Sequence, residues 1–281
     1  MREDVGTRLR GRVLAIGGSD SGGGAGVQAD IKAIGAMGAF AATALTALTA
    51  QNTLGVQAVM AVPPAFVARQ VASVLDDIGA DAVKTGMLGA RAVVEAVAEA
   101  LAGVLAGGAV PLVLDPVMVA KGGQSLLAPD AVAALVDLLL PWAAVVTPNL
   151  EEAEVLTGAA VSDVAGMHRA AERLLRMGAA AVLLKGGHLA GEVLTDLLAT
   201  PAGTEAFEQA RVATRHTHGT GCTLASAVAA GLAQGMTLPA TVARARRYVR
   251  AAIESAPGFG AGHGPLDHLA WARGSAAPGR S

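Results

Sequence analysis

The sequence contains few of the residues that build cross-links or nucleic-acid surfaces. Of its 281 residues only Cys222 is a cysteine, which excludes an intrachain disulfide and a cysteine-based zinc cage. Aromatic residues make up 2% of the chain, too few to form a stacking platform for single strands. The net charge of −2 offers no basic footprint for a phosphate backbone. We therefore expect no nucleic-acid partner.

Long uninterrupted hydrophobic runs are also absent. Apolar residues make up 53% of the chain and charged residues 16%, so a sizeable core can form. The apolar stretches are rich in alanine and broken by glycine or threonine, which argues against a membrane span. Residues 1–12 are charged and have no hydrophobic signal core. These features predict a cytoplasmic protein with no membrane partner.

Short apolar strands alternate with helical segments along most of the chain. This order predicts a doubly wound α/β domain with a mostly parallel central sheet. Segments 193–198 and 205–211 are expected to pair as antiparallel strands at one edge. No linker or repeat divides the chain, so we predict one domain over residues 12–273, with flexible tails at 1–11 and 274–281.

A glycine-rich loop, residues 17–26, follows the first strand and precedes a helix. It has no Gly-Lys-Ser/Thr signature, so it is not a Walker loop, and the second strand ends in Gln51 and Asn52 instead of the acid of a dinucleotide site. Asp20 and Gln51 both stand at strand ends on the edge where α/β folds bind ligands. This pair suits a small polar heterocycle or a polyol better than a pyrophosphate.

The segment 217–223 has two glycines, Gly219 and Gly221, before the apolar run 224–233. The glycines let consecutive backbone N–H groups point into one concavity, and the run predicts a helix starting there. A helix N-terminus carries unpaired N–H groups and suits a phosphate. The alternative is a plain glycine turn capped by Thr220 or Thr223.

Two further groups of polar residues lie at predicted strand ends. Asp115 ends a buried strand, and Lys121 follows on the same rim; the alternative is a surface ion pair. Asn149 and Glu152 have the spacing of a helix capping box. Their oxygen atoms also suit a hydrated magnesium ion, and the two roles are compatible. Lysine is rare in this chain, where arginine is the usual basic residue. The lysine at position 185 therefore indicates that a compact ammonium group is needed there.

Seven segments, in this order, resemble the hydroxymethylpyrimidine and phosphomethylpyrimidine kinases of the ribokinase-like family. The resemblance runs from about Val13 to His268. It is carried by residues 18–30, 46–53, 84–88, 115–118, 147–152, 185–188 and 217–223.

The resemblance implies a three-layer α/β/α fold and ATP-dependent phosphorylation of a hydroxymethylpyrimidine. The monophosphate is then phosphorylated to the diphosphate used in thiamine synthesis. A homodimer is also implied. Gln51 matches the residue that hydrogen-bonds the pyrimidine edge, which an amide suits because it donates and accepts. The rest of the implied substrate pocket comprises Asp20, Gly18, Met87 and Val117.

The same resemblance implies roles for the phosphate and metal side of the site. Asn149 and Glu152 match a magnesium motif, to which we add Asp115 as a third candidate ligand. Lys185 and Gly187 match the segment near the ATP phosphates, which Thr220 also borders. The implied anion hole comprises Gly219, Thr220, Gly221 and Cys222, and we expect Lys121 to help neutralise the developing charge.

Cys222 stands where sugar kinases of this fold have an aspartate base. A thiol at a helix N-terminus is expected to have a lowered pKa, so a thiolate is a candidate base. Alternatively, Cys222 is a small residue packed beneath the loop. Phosphoryl transfer depends mainly on positioning and charge neutralisation, so a weak base is tolerable.

Four other functions compete with this interpretation. A pyridoxal kinase shares the scaffold, whereas a sugar kinase is disfavoured by Cys222. A dinucleotide-dependent oxidoreductase lacks its acid after the second strand. A non-catalytic pyrimidine-binding protein would keep Gln51 but not the phosphate groups, whereas Lys121, Glu152 and Lys185 are all present.

Overall fold

A computed structural model describes residues 10–119, 123–124, 126–187, 189 and 191–275. Its strands are β1 (Arg12–Asp20), β2 (Phe40–Asn52), β3 (Gly55–Ala61), β4 (Ala82–Thr85), β5 (Leu112–Leu114), β6 (Ala143–Val146), β7 (Val182–Leu184), β8 (Val193–Thr200) and β9 (Gly203–Ala210). Its α-helices are α1 (Gly26–Ala36), α2 (Pro64–Asp77), α3 (Arg91–Leu105), α4 (Pro129–Leu138), α5 (Leu150–Thr157), α6 (Val164–Arg176), α7 (Thr220–Ala233), α8 (Leu238–Glu254) and α9 (Ala270–Ser275).

The nine strands form one sheet in the order β3-β2-β1-β4-β5-β6-β7-β8-β9. β2, β1, β4, β5, β6 and β7 run parallel, so their carboxyl ends share one edge. β3 pairs antiparallel with β2, and the β8–β9 hairpin continues the far side. The predicted mostly parallel sheet and its antiparallel hairpin are therefore confirmed.

Helices cover both faces of the sheet, which confirms the three-layer α/β/α prediction. Alternate residues of a strand point to opposite faces, and the core divides accordingly. On β1, Leu14 and Ile16 pack with the cluster formed by α2 to α6. Val13 and Ala15 pack with the cluster formed by α1, α7 and α8. Each face of the sheet is thus a separate hydrophobic layer.

One element boundary differs from the sequence-based expectation. β1 extends to Asp20, through glycines that we expected to lie in a loop, because Ser19 and Asp20 still pair with Leu48 and Thr49 of β2. α7 begins at Thr220, inside the segment 217–223 where the helix was expected to start.

A buried ion pair joins three elements beneath the carboxyl edge of the sheet. Lys84 Nζ of β4 lies 2.9 Å from Asp30 Oδ1 of α1, and their side chains are 1% and 0% exposed. Ser226 of α7 donates a hydrogen bond of 2.7 Å to the same oxygen. Burial lowers the pKa of Lys84, but the surrounding acidic groups, Asp30 foremost, together outweigh it and leave the pKa raised. The pair thereby ties α1, β4 and α7 together.

Most of the two predicted tails, at 1–11 and 274–281, falls outside the described residues. α9 continues as far as Ser275. In the part of the chain that is described, no helix has the length and apolar character needed to cross a bilayer.

Candidate active site

A cavity of about 750 Å³ opens at the carboxyl edge of the parallel strands. Its wall is made by the loops after β1, β4, β5, β6 and β7 and by the start of α7. The sequence-predicted residues that line it are Gly18, Asp20, Gln51, Met87, Asp115, Val117, Asn149, Glu152, Lys185, Gly187, Gly219, Thr220, Gly221 and Cys222. Lys121, the remaining predicted residue, lies outside the described residues.

Asp20 organises the glycine-rich loop at one end of the cavity. Its carboxylate accepts hydrogen bonds from the amides of Gly22, Gly24 and Ala25 at 2.8, 3.0 and 2.8 Å. The ring of His218 lies 2.9 Å from Asp20 Oδ2. Burial raises the pKa of Asp20, but the hydrogen bonds outweigh it and leave the pKa lowered. Because both oxygens accept hydrogen bonds from within the protein, Asp20 holds the loop in shape at the pocket wall.

Gln51 lies at the end of β2, where the ladder with β3 contains a bulge. The bulge lies between Ala50 and Gln51. The Gln51 amide is flanked by Thr49 and His218, at 3.2 and 3.3 Å. Half-buried, it borders the same cavity as Asp20 and Met87. An amide in this position can offer both a donor and an acceptor to a polar ring.

Gly219 makes the turn before α7. Its φ is +80°, and a Cβ there would lie 1.8 Å from the carbonyl oxygen of Gly24. Only glycine fits both constraints. Because the first amides of a helix have no intrahelical acceptor, the N–H groups of Gly221 and Cys222 are free for an anion in the cavity.

Lys185, directly after β7, lies between a carboxylate that follows β5 and one in the first turn of α5. Its Nζ is 3.2 Å from Asp115 Oδ1 and 3.8 Å from Glu152 Oε2. Thr147 donates to Asp115 Oδ1 at 3.0 Å, whereas the buried Asp115 Oδ2 has no hydrogen-bond partner. Asp115 is 1% exposed, so the alternative of a surface ion pair is wrong.

Asn149 and Glu152 form the predicted capping box at the start of α5. Glu152 N donates to Asn149 Oδ1, and Asn149 N donates to Glu152 Oε2, both at 2.8 Å. Burial raises the pKa of Glu152 to about 7, with Lys185 opposing the shift and Asp115 adding to it. For Lys185, burial lowers the pKa, but the charges of Asp115 and Glu152 outweigh it and leave the pKa raised.

The expected lowering of the Cys222 pKa is wrong. Burial raises the pKa of the thiol to about 11, against the attraction of Lys84, and the carboxylates of Asp115 and Asp30 add to the rise. The field of the helix N-terminus is weaker than the cost of burying a thiolate beside two acids. In the ligand-free site, Cys222 is therefore a neutral thiol at pH 7.

Three residues of the site were not among the candidates proposed from the sequence. His218 and Lys84 lie inside motif segments, but their partners are far away in sequence, at Asp20 and Asp30. Arg211 carried no sequence signal. Its guanidinium donates to the carbonyl oxygens of Gly187, Leu189 and Gly191 at 2.6, 2.6 and 3.0 Å, and so supports the loop after β7.

The chain is similar to proteins of one family over most of its length. The profile of the family described as phosphomethylpyrimidine kinase matches residues 20–267. A hydroxymethylpyrimidine/phosphomethylpyrimidine kinase of Streptomyces coelicolor is 50% identical over 93% of this chain and 95% of its own length. The thiamine biosynthesis bifunctional protein ThiED of Geobacter sulfurreducens is 51% identical over 92% of this chain, which spans only 52% of that protein.

Solved structures have the same fold. The ADP complex of Bacillus subtilis pyridoxal kinase superimposes with a TM-score of 0.85 and 36% identity, covering 93% of this chain and 98% of the other. The similarity therefore extends to a kinase that acts on a different ring.

The neutral state of Cys222 gives a prediction for thiol reactivity. Alkylation by iodoacetamide should still accelerate about tenfold per pH unit between pH 9 and 10, because only the thiolate reacts. Since Cys222 is the sole cysteine, labelling of the intact protein reports on it alone. The urea-unfolded chain, in which the pKa is ordinary, is the control and should level off earlier. A rate plateau below pH 9 in the folded protein would contradict the burial effect.

Proposed function

This chain belongs to the phosphomethylpyrimidine kinase family, and we propose that the cavity at the carboxyl edge of its sheet is the active site. The enzyme is a phosphotransferase with the ribokinase-like fold. It phosphorylates hydroxymethylpyrimidine and phosphomethylpyrimidine with ATP for thiamine biosynthesis. We further propose that residues 12–273 act as one kinase domain, which the single sheet supports.

One observation carries the assignment of the site. A single cavity is bordered by a ring-reading amide, Gln51, and by phosphate-binding groups, the amides of Gly221 and Cys222 and the ammonium of Lys185. A kinase needs both kinds of group within reach of one transferred phosphoryl. The substrate hydroxyl would attack the ATP γ-phosphate in line, while the helix amides stabilise the developing negative charge.

We assign the substrate end of the cavity to Gln51, Gly18, Met87 and Val117. The Met87 side chain lies beside Gly18, where an added Cβ would be 3.2 Å from the Met87 sulfur. These residues form an apolar wall beside one amide, which suits a flat heteroaromatic ring. At the nucleotide end we assign Lys185, Gly187 and Thr220.

The acidic residues fit a magnesium ion. Asp115 Oδ2 is buried without a hydrogen-bond partner, as expected for an oxygen that awaits a cation. Within the described residues, no three His, Cys, Asp or Glu side chains are grouped closely enough to hold a metal. Magnesium commonly binds through one or two carboxylates, substrate phosphates and water. We therefore assign it to Asp115 and Glu152, with Asn149 holding Glu152 in place, and it would neutralise phosphate charge.

A pyridoxal kinase activity is the second candidate. The pyridoxal kinase of Bacillus subtilis shares the fold, and Gln51 can hydrogen-bond a pyridine ring as well as a pyrimidine. The curated relatives named above favour the pyrimidine, and their kinase activity disfavours a non-catalytic binding protein.

An ATP-consumption assay separates the candidate substrates. With magnesium present, we expect turnover of hydroxymethylpyrimidine and its monophosphate, and little turnover of pyridoxal. Gly221→Val is the inactive control, because its side chain would project toward Lys185 Nζ, 3.3 Å from an added Cβ, and close the anion hole. A preference for pyridoxal would instead indicate a pyridoxal kinase, which acts in vitamin B6 metabolism. Undiminished turnover in Gly221→Val would refute the anion hole.

Glu152→Gln tests the metal assignment. A glutamine can still accept the Asn149 amide hydrogen bond, so the helix cap survives while the charge is lost. We expect the magnesium concentration for half-maximal rate to rise by about 10-fold or more. Glu151→Gln, at the exposed neighbouring position, is the matched control and should change little. An unchanged magnesium titration in Glu152→Gln would leave Glu152 as a helix cap only.

We also propose a homodimer that uses the outer face of the β2–β3 hairpin. Leu48 pairs with Met60 and Ala50 with Ala58, so all four side chains share one face, and all four are exposed. Thr49, on the opposite face, borders the cavity. An apolar face of this kind is expected to be covered by a partner. A second copy bound there would pack against the strand whose opposite face borders the cavity.

Sedimentation measures the dimer directly. We expect a mass of twice 27.7 kDa for the wild type, and a shift toward a single chain for Met60→Glu, which adds charge to the apolar face. Val155→Glu changes a similarly exposed residue on α5 and is the matched control. A single-chain mass for the wild type would rule out the dimer.

A further inference from the structure

A second buried ion pair, Asp196 with Arg246, lies behind the loop that carries Lys185. Asp196 belongs to β8 and Arg246 to α8, and they are 5% and 8% exposed. Arg246 Nε donates a hydrogen bond of 2.8 Å to Asp196 Oδ2. Neither residue borders the cavity. Because apolar residues can often replace a buried ion pair without loss of stability, stability alone does not explain this pair.

The other carboxylate oxygen of Asp196 holds the backbone next to Lys185. Asp196 Oδ1 accepts a hydrogen bond of 3.0 Å from the N–H of Gly186, the residue that directly follows Lys185. That N–H lies in the same rigid peptide plane as the Lys185 carbonyl group, so the hydrogen bond sets the orientation of the plane. Gly186 also lies directly against β8, since a Cβ there would be 1.9 Å from the Thr195 carbonyl oxygen.

The peptide plane on the other side of Lys185 is held as well. The Lys185 N–H donates to the Pro148 carbonyl oxygen at 2.8 Å. With the planes before and after it fixed, both soft backbone torsions of Lys185 are determined, and so is the direction in which its side chain leaves the backbone. A lysine side chain is a flexible four-carbon stem, so this direction limits where the ammonium group can lie.

We propose that Asp196 and Arg246 are positioning residues that direct the ammonium group of Lys185 toward the ATP phosphates, acting through the Gly186 N–H. This inference rests on the nucleotide role proposed above for Lys185. Arg246 occupies Oδ2 of the carboxylate and so leaves Oδ1 for Gly186. Arg246 is itself held by β9: its Nη2 donates to the Phe207 carbonyl oxygen at 2.8 Å, and its guanidinium lies 5.5 Å from the centroid of the Phe207 ring.

A matched pair of double variants isolates the hydrogen bond to Gly186. D196N/R246M and D196L/R246M both replace the ion pair by neutral side chains of similar size, which a buried site tolerates better than one unpaired charge. They differ in one respect. The asparagine oxygen can still accept the Gly186 N–H, whereas leucine has no acceptor.

Calorimetric titration with the non-hydrolysable ATP analogue AMP-PCP, in the presence of magnesium, measures the effect without turnover. We expect D196L/R246M to raise the Kd by about 10-fold or more, the scale for losing a group that orients a ligand-binding side chain. D196N/R246M should stay within about 3-fold of the wild type, because the acceptor is retained. In turnover assays the KM for ATP should follow the Kd, while the KM for hydroxymethylpyrimidine changes by less than about 2-fold.

The single variant Asp196→Asn provides a second test if D196L/R246M fails to fold. Its one oxygen is drawn to the Arg246 guanidinium, so its NH2 group meets the Gly186 N–H donor to donor. We expect weak AMP-PCP binding in this variant and recovery when Arg246→Met is added. A role in stability alone would give no such recovery. Arg244→Met is the control: Arg244 lies on the same helix, donates to the Met37 carbonyl oxygen at 2.8 Å, and should leave the Kd unchanged.

Lys185→Met separates this inference from the proposed function. We expect it to weaken AMP-PCP binding by about 10-fold or more, since it removes a charge from the phosphates. If Lys185→Met binds the analogue as the wild type does, the nucleotide role of Lys185 and the positioning role both fail. If Lys185→Met binds weakly but the two folded double variants share one affinity, only the positioning role is overturned.

Discussion

The buried contact of Lys84 with Asp30 is the constraint on which the active-site edge depends. Transferring two charges out of water is costly, and the cost is offset only when the pair is well oriented and further hydrogen-bonded, as Ser226 provides here. The three residues belong to β4, α1 and α7. Their mutual position therefore fixes where α7 starts relative to the sheet. The amides at that start are the ones assigned to phosphate, so a contact outside the chemistry determines its geometry.

The cavity brings opposite charges together before any ligand arrives. Lys185 pairs with both Asp115 and Glu152 and so offsets only part of their charge, and one oxygen of Asp115 is left without a hydrogen-bond partner. A triphosphate with its metal brings both signs of charge, so it can exchange partners with this cluster at little electrostatic cost. Burial keeps the interactions strong because little water is present to screen them. The same burial keeps Cys222 neutral in the ligand-free site, so it offers no thiolate to act as a base.

The ring specificity of this fold depends on few atoms. Pyridoxal and pyrimidine kinases share this fold, as the superposition on the Bacillus subtilis pyridoxal kinase shows. The fold alone therefore does not choose the substrate. In this chain the polar group available to distinguish one ring from another is the amide of Gln51, which borders the cavity.

The sequence by itself determined the features that depend on residues close together along the chain. The alternation of strands and helices predicted the layered sheet, and the spacing of Asn149 and Glu152 predicted the capping box, because both follow from contacts within a few residues. Only the tertiary structure decided the partners of Asp115 and His218, which lie 70 and 198 residues away. It also reversed the expected pKa shift of Cys222. Long-range pairing depends on which strand ends become neighbours, and a pKa depends on how much water folding removes; neither is encoded locally.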